Sequence, residues 1–184
     1  MTAAVILLAI VTIARLAELW LAHSNTRALL AKGAFEVAPE HYRVIVILHV
    51  LWLGGLWLIG WSYPLNLVWV LVFVALQGLR GWVLLSMGRR WTTRIIILPG
   101  APLVNTGPYR YLSHPNYLIV IGEIAVLPLC FGLTWYALTF SAANAAVLAI
   151  RIRSENAALA LVHHVAAPMA VGITENQGAG IPTP

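Results

Sequence analysis

Long apolar runs separated by short polar clusters dominate this chain. Five of them reach a length that suits membrane helices: Ala3–His23, Arg43–Trp61, Leu65–Ser86, Asn116–Phe131 and Trp135–Ile152. A helix needs roughly 20 residues to cross a hydrocarbon core. The last two runs form one apolar block, in which Pro128, Gly132 and Thr134 predict the turn of a helical hairpin. The first run has no basic leader and contains Arg15 and Glu18, so it reads as a retained helix rather than a signal peptide. The expected fold is an all-α integral membrane protein of about five transmembrane helices, one domain over residues 1–171. Residues 172–184, rich in Gly, Pro and polar side chains, are expected to form a disordered tail.

Composition supports a lipid environment. Of 184 residues, 61% are hydrophobic and 9% charged, against about 25% charged in a soluble domain. Basic residues then orient the helices. Arg27, Lys32 and Arg43 flank the first loop, and Arg89, Arg90, Arg94 and Arg110 lie in the second. Arg151 and Arg153 close the last helix, whereas the connectors Ser62–Pro64 and Gly132–Thr134 carry no charge. Positive-inside logic puts both basic loops and the C-terminus in the cytoplasm and the N-terminus outside. This assigns the high pI of 9.9 to topology and anionic lipid headgroups rather than to nucleic acid. The single cysteine, Cys130, excludes an intrachain disulfide and reads as core.

Ionisable groups inside the spans cost about 2.5–3.5 kcal/mol each at mid-bilayer and need a reason. Arg15 and Glu18, three apart, share a helix face and can neutralise one another. Arg80 and Glu123 lie at similar depth and form a second plausible pair, as structural glue or as a cavity wall. His49, alone on an apolar helix, reads as a hydrogen-bonded core residue. No HExxH or His-x3-His spacing and no aspartate occur, so no metal site is expected. Ser-His-Asp sets, Walker loops and a strand leading into GxGxxG are missing as well.

The most polar stretch near a span is TGPYRYLSHPNYL, Thr106 to Leu118. Counting depth links it to the end of the chain. Pro115 stands 17 positions before Gly132, and Arg151 stands 17 after Thr134, so antiparallel helices hold them level. Glu155 follows Arg151 by one turn on the same face. The sequence thus gathers His114, Asn116, Tyr117, Arg151 and Glu155 at the cytoplasmic boundary. Pro108 and Pro115 push Gly107 and His114 out of the α region, and Pro115 suits the first turn of the fourth helix. The free N–H groups of that turn favour an anion. Tyr111 reads as an interfacial anchor; for Tyr109 and Tyr117 anchor and site both stand open.

The string LVNTGPYRYLSHPNY, followed by RIRSEN, resembles the isoprenylcysteine carboxyl methyltransferase family of integral-membrane methyltransferases. The shared pattern, LVxxGPYxxxRHPxY and then Arg-xxx-Glu on the last helix, covers about Leu98 to Leu159. A looser likeness, through RLAELWLAHSNTRALLAKGAFE, is to bacterial members linked to polyketide and phenolic-lipid biosynthesis. The resemblance implies S-adenosylmethionine (AdoMet) bound on the cytoplasmic side of a bacterial inner membrane. Carried over by position, Leu103, Val104, Tyr109, His114, Pro115, Asn116 and Tyr117 would line the cofactor pocket. Glu155 would meet the cofactor, and Arg151 would orient the acceptor's nucleophile. Arg94 stands where some relatives have a cofactor-binding glutamine. Ser113 replaces the usual arginine before His-Pro, and Asn156 replaces the second acid of a Glu-Glu pair. These departures count against a prenylcysteine substrate more than against AdoMet.

The residue inventory suits such chemistry. A methyl on a sulfonium is already activated, so the protein's task is alignment and exclusion of water, which can lower a barrier by up to ~7–11 kcal/mol. The expected activity is O-methylation of a lipophilic acceptor entering from the bilayer, a phenolic or pyrone-type lipid hydroxyl ahead of a prenylcysteine carboxylate. The rival expectation is a non-enzymatic transport or binding protein with an intramembrane Arg/Glu site, which would call for broken-helix repeats or an acid relay.

Overall fold

The structure is a computed structural model that describes residues 2–102 and 104–171, with the side chains of Glu40, His41, Asn156 and 158–171 outside that description. The expected tail, residues 172–184, and Leu103 lie outside the described residues too.

Five helices carry the fold: α1 (Thr2–Leu30), α2 (Pro39–Ile59), α3 (Leu67–Met87), α4 (Pro115–Cys130) and α5 (Thr134–Val171). Two short strands, β1 (Phe35–Val37) and β2 (Ile95–Ile97), lie between them. Among the described residues, four segments are long and apolar enough to cross a membrane: Thr2–Leu30, Tyr42–Ser62, Leu67–Arg90 and Thr134–Glu155. The exception is α4. Its 16 residues span about 24 Å at 1.5 Å per residue, short of a hydrocarbon core of about 30 Å.

Local chemistry sets the helix ends. Asn66 caps α3 by accepting from the backbone N–H groups of Val68 and Trp69. Pro39 and Pro115 occupy the first turns of α2 and α4, where no N–H is needed. Gly132, at φ +71°, closes α4. The N–H groups of Gly132 and Leu133 return there to the carbonyls of Leu129 and Pro128. The chain then enters α5 at Thr134.

Helix α1 runs past its expected end at His23 to Leu30, and α5 past Ile152 to Val171. Hydropathy marks where a helix leaves lipid, and backbone helicity continues until something breaks it. In the extension of α1, Asn25 is buried and donates to the carbonyls of Gly88 and Trp91. The antiparallel pair β1–β2, with Phe35 opposite Ile97 and Val37 opposite Ile95, corrects the all-α expectation. Strands this short give no readable alternation, but they tie the first long loop to the second.

All five helices contribute to one core, through Leu8, Leu56, Phe73, Ile124 and Leu148 among others. Polar bonds cross it. The Tyr136 hydroxyl donates to Trp52 O at 2.7 Å, Trp52 Nε1 to Ile124 O at 3.2 Å, and Trp57 Nε1 to Thr12 Oγ1 at 3.0 Å. In lipid such bonds and close packing hold helices together, because apolar side chains gain little by leaving hydrocarbon tails.

Candidate active site

The motif loop is docked before it reaches α4. Gly107 has φ +57°, a conformation that favours glycine, and a Cβ there would run into the Ser86 side chain. Pro108 beside it is buried. Tyr109 follows, and its hydroxyl donates to Met87 Sδ at 2.9 Å. Burial, then the charge of Glu155, pushes the Tyr109 phenol up to about 12. The loop is thereby pinned to the end of α3.

From Pro115 onward α4 faces α5. The Tyr117 hydroxyl donates to Glu155 Oε2 at 2.5 Å and accepts from Arg151 Nε at 3.0 Å. The His114 ring stacks on Tyr117, centroids 5.2 Å apart, and its Nδ1 lies 3.9 Å from Glu155 Oε2. Arg151 is buried and also donates through Nη2 to Thr93 O at 2.6 Å. Two buried atoms here have no hydrogen-bond partner among the described residues: Asn116 Oδ1 and Arg151 Nη1. A buried acceptor and a buried charged donor left without partners call for a reason, and a bound polar ligand is one.

That wall belongs to a cavity of about 530 Å³. Tyr109, His114, Asn116, Tyr117, Arg151 and Glu155 all line it. Val104 is half-buried and Pro115 buried, and neither faces the cavity. Ser113 borders it, whereas Tyr111 is 74% exposed, as an interfacial anchor would be. The level of Arg151 with the start of α4, counted from sequence, matches these contacts.

The far end of the same cavity reaches the buried charges. The two pairs expected separately are one network. Arg15 Nη2 lies 3.1 Å from Glu18 and 3.3 Å from Glu123. Arg80 binds Glu18 at 2.8 Å and Glu123 at 2.5 Å. Gln77 completes it, donating to Glu123 at 2.6 Å and accepting from Arg15 at 3.0 Å. Gln77 escaped the sequence reading, although a polar residue three before Arg80 in an apolar run was a usable signal. Arg15, Glu18, Arg80 and His49 all line the cavity.

The second loop supplies further residues that spacing did not reveal. Arg94 lines the same cavity and pairs with Glu36 of β1 at 2.8 Å, with its guanidinium 4.6 Å from the Tyr42 ring centroid. The hydrogen bond it donates to Glu36 holds Arg94 above its ordinary pKa. Its neighbour Thr93 gives the carbonyl that anchors Arg151. No side-chain pattern announces a backbone acceptor.

A family model described as isoprenylcysteine carboxyl methyltransferase (ICMT) matches residues 69–161, which is half of the chain and includes α4, the motif loop, Arg151 and Glu155. The chain belongs to the ICMT family. It is accordingly an integral membrane protein and a methyltransferase at the general level. Among its relatives is an uncharacterized protein, YpbQ, of Bacillus subtilis, 37% identical over 167 residues, covering 84% of this chain and 95% of that one. An uncharacterized protein of Haemophilus influenzae is 24% identical over 141 residues, covering 73% of this chain and 82% of that one. No solved structure matches the chain significantly.

Proposed function

We propose that this ICMT-family protein is an AdoMet-dependent O-methyltransferase whose acceptor is a lipid-like molecule drawn from the bilayer. One observation carries the reading. A single cavity of about 530 Å³ has the motif residues Tyr117, Arg151 and Glu155 at one end and span residues such as Leu16, Val50 and Leu53 along its side. Pockets of roughly 300–1,000 Å³ enclose cofactor-sized ligands.

The residues present fit AdoMet. Glu155 offers a carboxylate to an ammonium, Asn116 Oδ1 is a buried acceptor with no partner, and the stacked His114 and Tyr117 rings offer an aromatic face. Tyr109 adds a pinned wall. Leu103, Val104 and Pro115 enter the proposed pocket through the motif alone. When bound, AdoMet supplies a methyl group already activated for displacement. The chain's own part is to align the acceptor and keep water away. Arg151 Nη1, buried and unpaired, is the group that would hold the acceptor oxygen.

The acceptor in this reading is a phenolic or pyrone-type lipid hydroxyl, ahead of a prenylcysteine carboxylate. Ser113 in place of arginine and Asn156 in place of an acid support that order. The proposed topology has five crossings, with α4 and α5 as a helical hairpin, the N-terminus outside and the C-terminus cytoplasmic. Short α4 crosses with α3 and α5 packed along it. The setting is a bacterial inner membrane with the AdoMet end of the cavity facing the cytoplasm, consistent with bacterial relatives.

The test is to incubate membranes carrying the protein with methyl-labelled AdoMet and bacterial lipid extract. An ether on a hydroxyl acceptor survives alkali, while a methyl ester releases methanol. Label in an alkali-stable lipid, dependent on Arg151, is the expected result. Label released by alkali overturns the hydroxyl acceptor, and no transfer to lipid overturns the lipid acceptor.

A further inference from the structure

His49 sits midway along α2, on the cavity wall. Its Nδ1 lies 2.8 Å from the carbonyl oxygen of Ile45, one turn earlier. A carbonyl only accepts, so Nδ1 carries the hydrogen and the neutral ring keeps its lone pair on Nε2. The Trp52 ring stands edge-on to the imidazole, centroids 6.2 Å apart, and helps to fix its orientation. Among the described residues Nε2 has no hydrogen-bond partner.

The carboxylates of the adjoining network are occupied. Both oxygens of Glu18 accept from Arg80 Nε, at 2.8 and 2.9 Å. Glu123 is taken by Arg15, Gln77 and Arg80. The network balances two arginines against two carboxylates and leaves neither carboxylate free to receive a proton. Arg151 lines the same cavity from α5. Beside these occupied carboxylates the wall presents the lone pair of His49, in the same cavity as Arg151.

We infer that His49 Nε2 accepts the hydroxyl of the methyl acceptor and takes its proton as the oxygen is methylated. This rests on the O-methyltransferase reading above. The oxygen's lone pair forms the new C–O bond, and the electrons of the broken C–S bond return to sulfur. The hydroxyl proton passes to Nε2, so the positive charge of the sulfonium ends on the imidazole. A lone pair attracts an O–H and repels an anionic oxygen. This wall consequently selects a protonated phenol or enol over a carboxylate.

The probes are an alkylphenol and the same alkylphenol with a ring nitro group, whose hydroxyl is already ionised at mildly alkaline pH. In the full-length detergent-purified protein, His49→Gln should lose about 100-fold in kcat/KM on the plain phenol, within the range of general-base effects, and only about fivefold on the nitrophenol. Calorimetry should find AdoMet affinity unchanged and plain-phenol affinity, measured without AdoMet, reduced. In His49→Ala, added imidazole should restore part of the turnover. Equal losses on both phenols overturn the inference, as does unchanged turnover of the plain phenol. Loss of AdoMet affinity in both variants also overturns it, because His49 then serves the scaffold. A wild-type protein that binds AdoMet but methylates neither phenol removes the hydroxyl acceptor and with it this role of His49. A wild-type protein that binds no AdoMet instead removes the cofactor reading itself.

Discussion

Tyr117 of α4 donates a 2.5 Å hydrogen bond to Glu155 of α5. The same hydroxyl accepts from Arg151, so one phenol sets the separation between the acid and the base of the motif. Tyr117→Phe should keep the fold and loosen both partners. Hydrogen bonds to charged groups contribute about 1.5–3 kcal/mol. AdoMet affinity should fall about tenfold, equal to about 1.4 kcal/mol. Calorimetry on purified protein checks this, and unchanged affinity would remove Tyr117 from the cofactor wall.

The two ends of the Arg151–Glu155 turn should separate in function. Glu155→Gln and His114→Ala should each weaken AdoMet binding by about 30-fold or more, equal to about 2 kcal/mol. Arg151→Ala should instead lose turnover while retaining most of that affinity. Binding isotherms and methyl-transfer rates on the same three proteins make the comparison. Equal effects in all of them would merge the acceptor and cofactor sites.

Stability should depend on the deep network far more than on the loop pair. Glu123→Gln leaves Arg15 and Arg80 with one carboxylate between them. Breaking a buried pair costs about 3–5 kcal/mol. The Arg94 side chain, by contrast, is 39% exposed, and Glu36→Gln should cost less than about 1 kcal/mol. Unfolding in mixed micelles measures both. Similar values for the two variants would contradict the ranking.

Tyr109 gives a pH signature. Its phenol is held at about 12, above the ordinary 10. The folded state favours the protonated form, so its contribution is fully present below pH 10 and is lost as pH rises from 10 to 12. Phenolate absorbance of the folded protein should show Tyr109 ionising in the later part of the titration. A difference titration against Tyr109→Phe isolates it, and a midpoint near 10 would show that the loop is not pinned to α3.

Much of the site was legible in sequence because helix rise is constant. Counting 17 residues on either side of Gly132–Thr134 brought Arg151 level with Pro115 without any knowledge of packing. The same arithmetic gave Glu155 its place one turn beyond. The pairing of Arg94 was not legible, because loops have no such ruler. Its partner Glu36 lies 58 positions away, on a strand too short to show alternation.

Length and hydropathy measure depth, so the apolar helices, the motif and the level of its residues could be read before any packing was known. Rotation about each helix axis emerged from packing alone. The tertiary structure joined Arg15, Glu18, Gln77, Arg80 and Glu123 into one network, and it put His49 on a shared cavity wall. In lipid the buried and exposed faces of a helix are both apolar. Periodicity therefore carries little record of which face turns inward, and interhelical contacts must supply it.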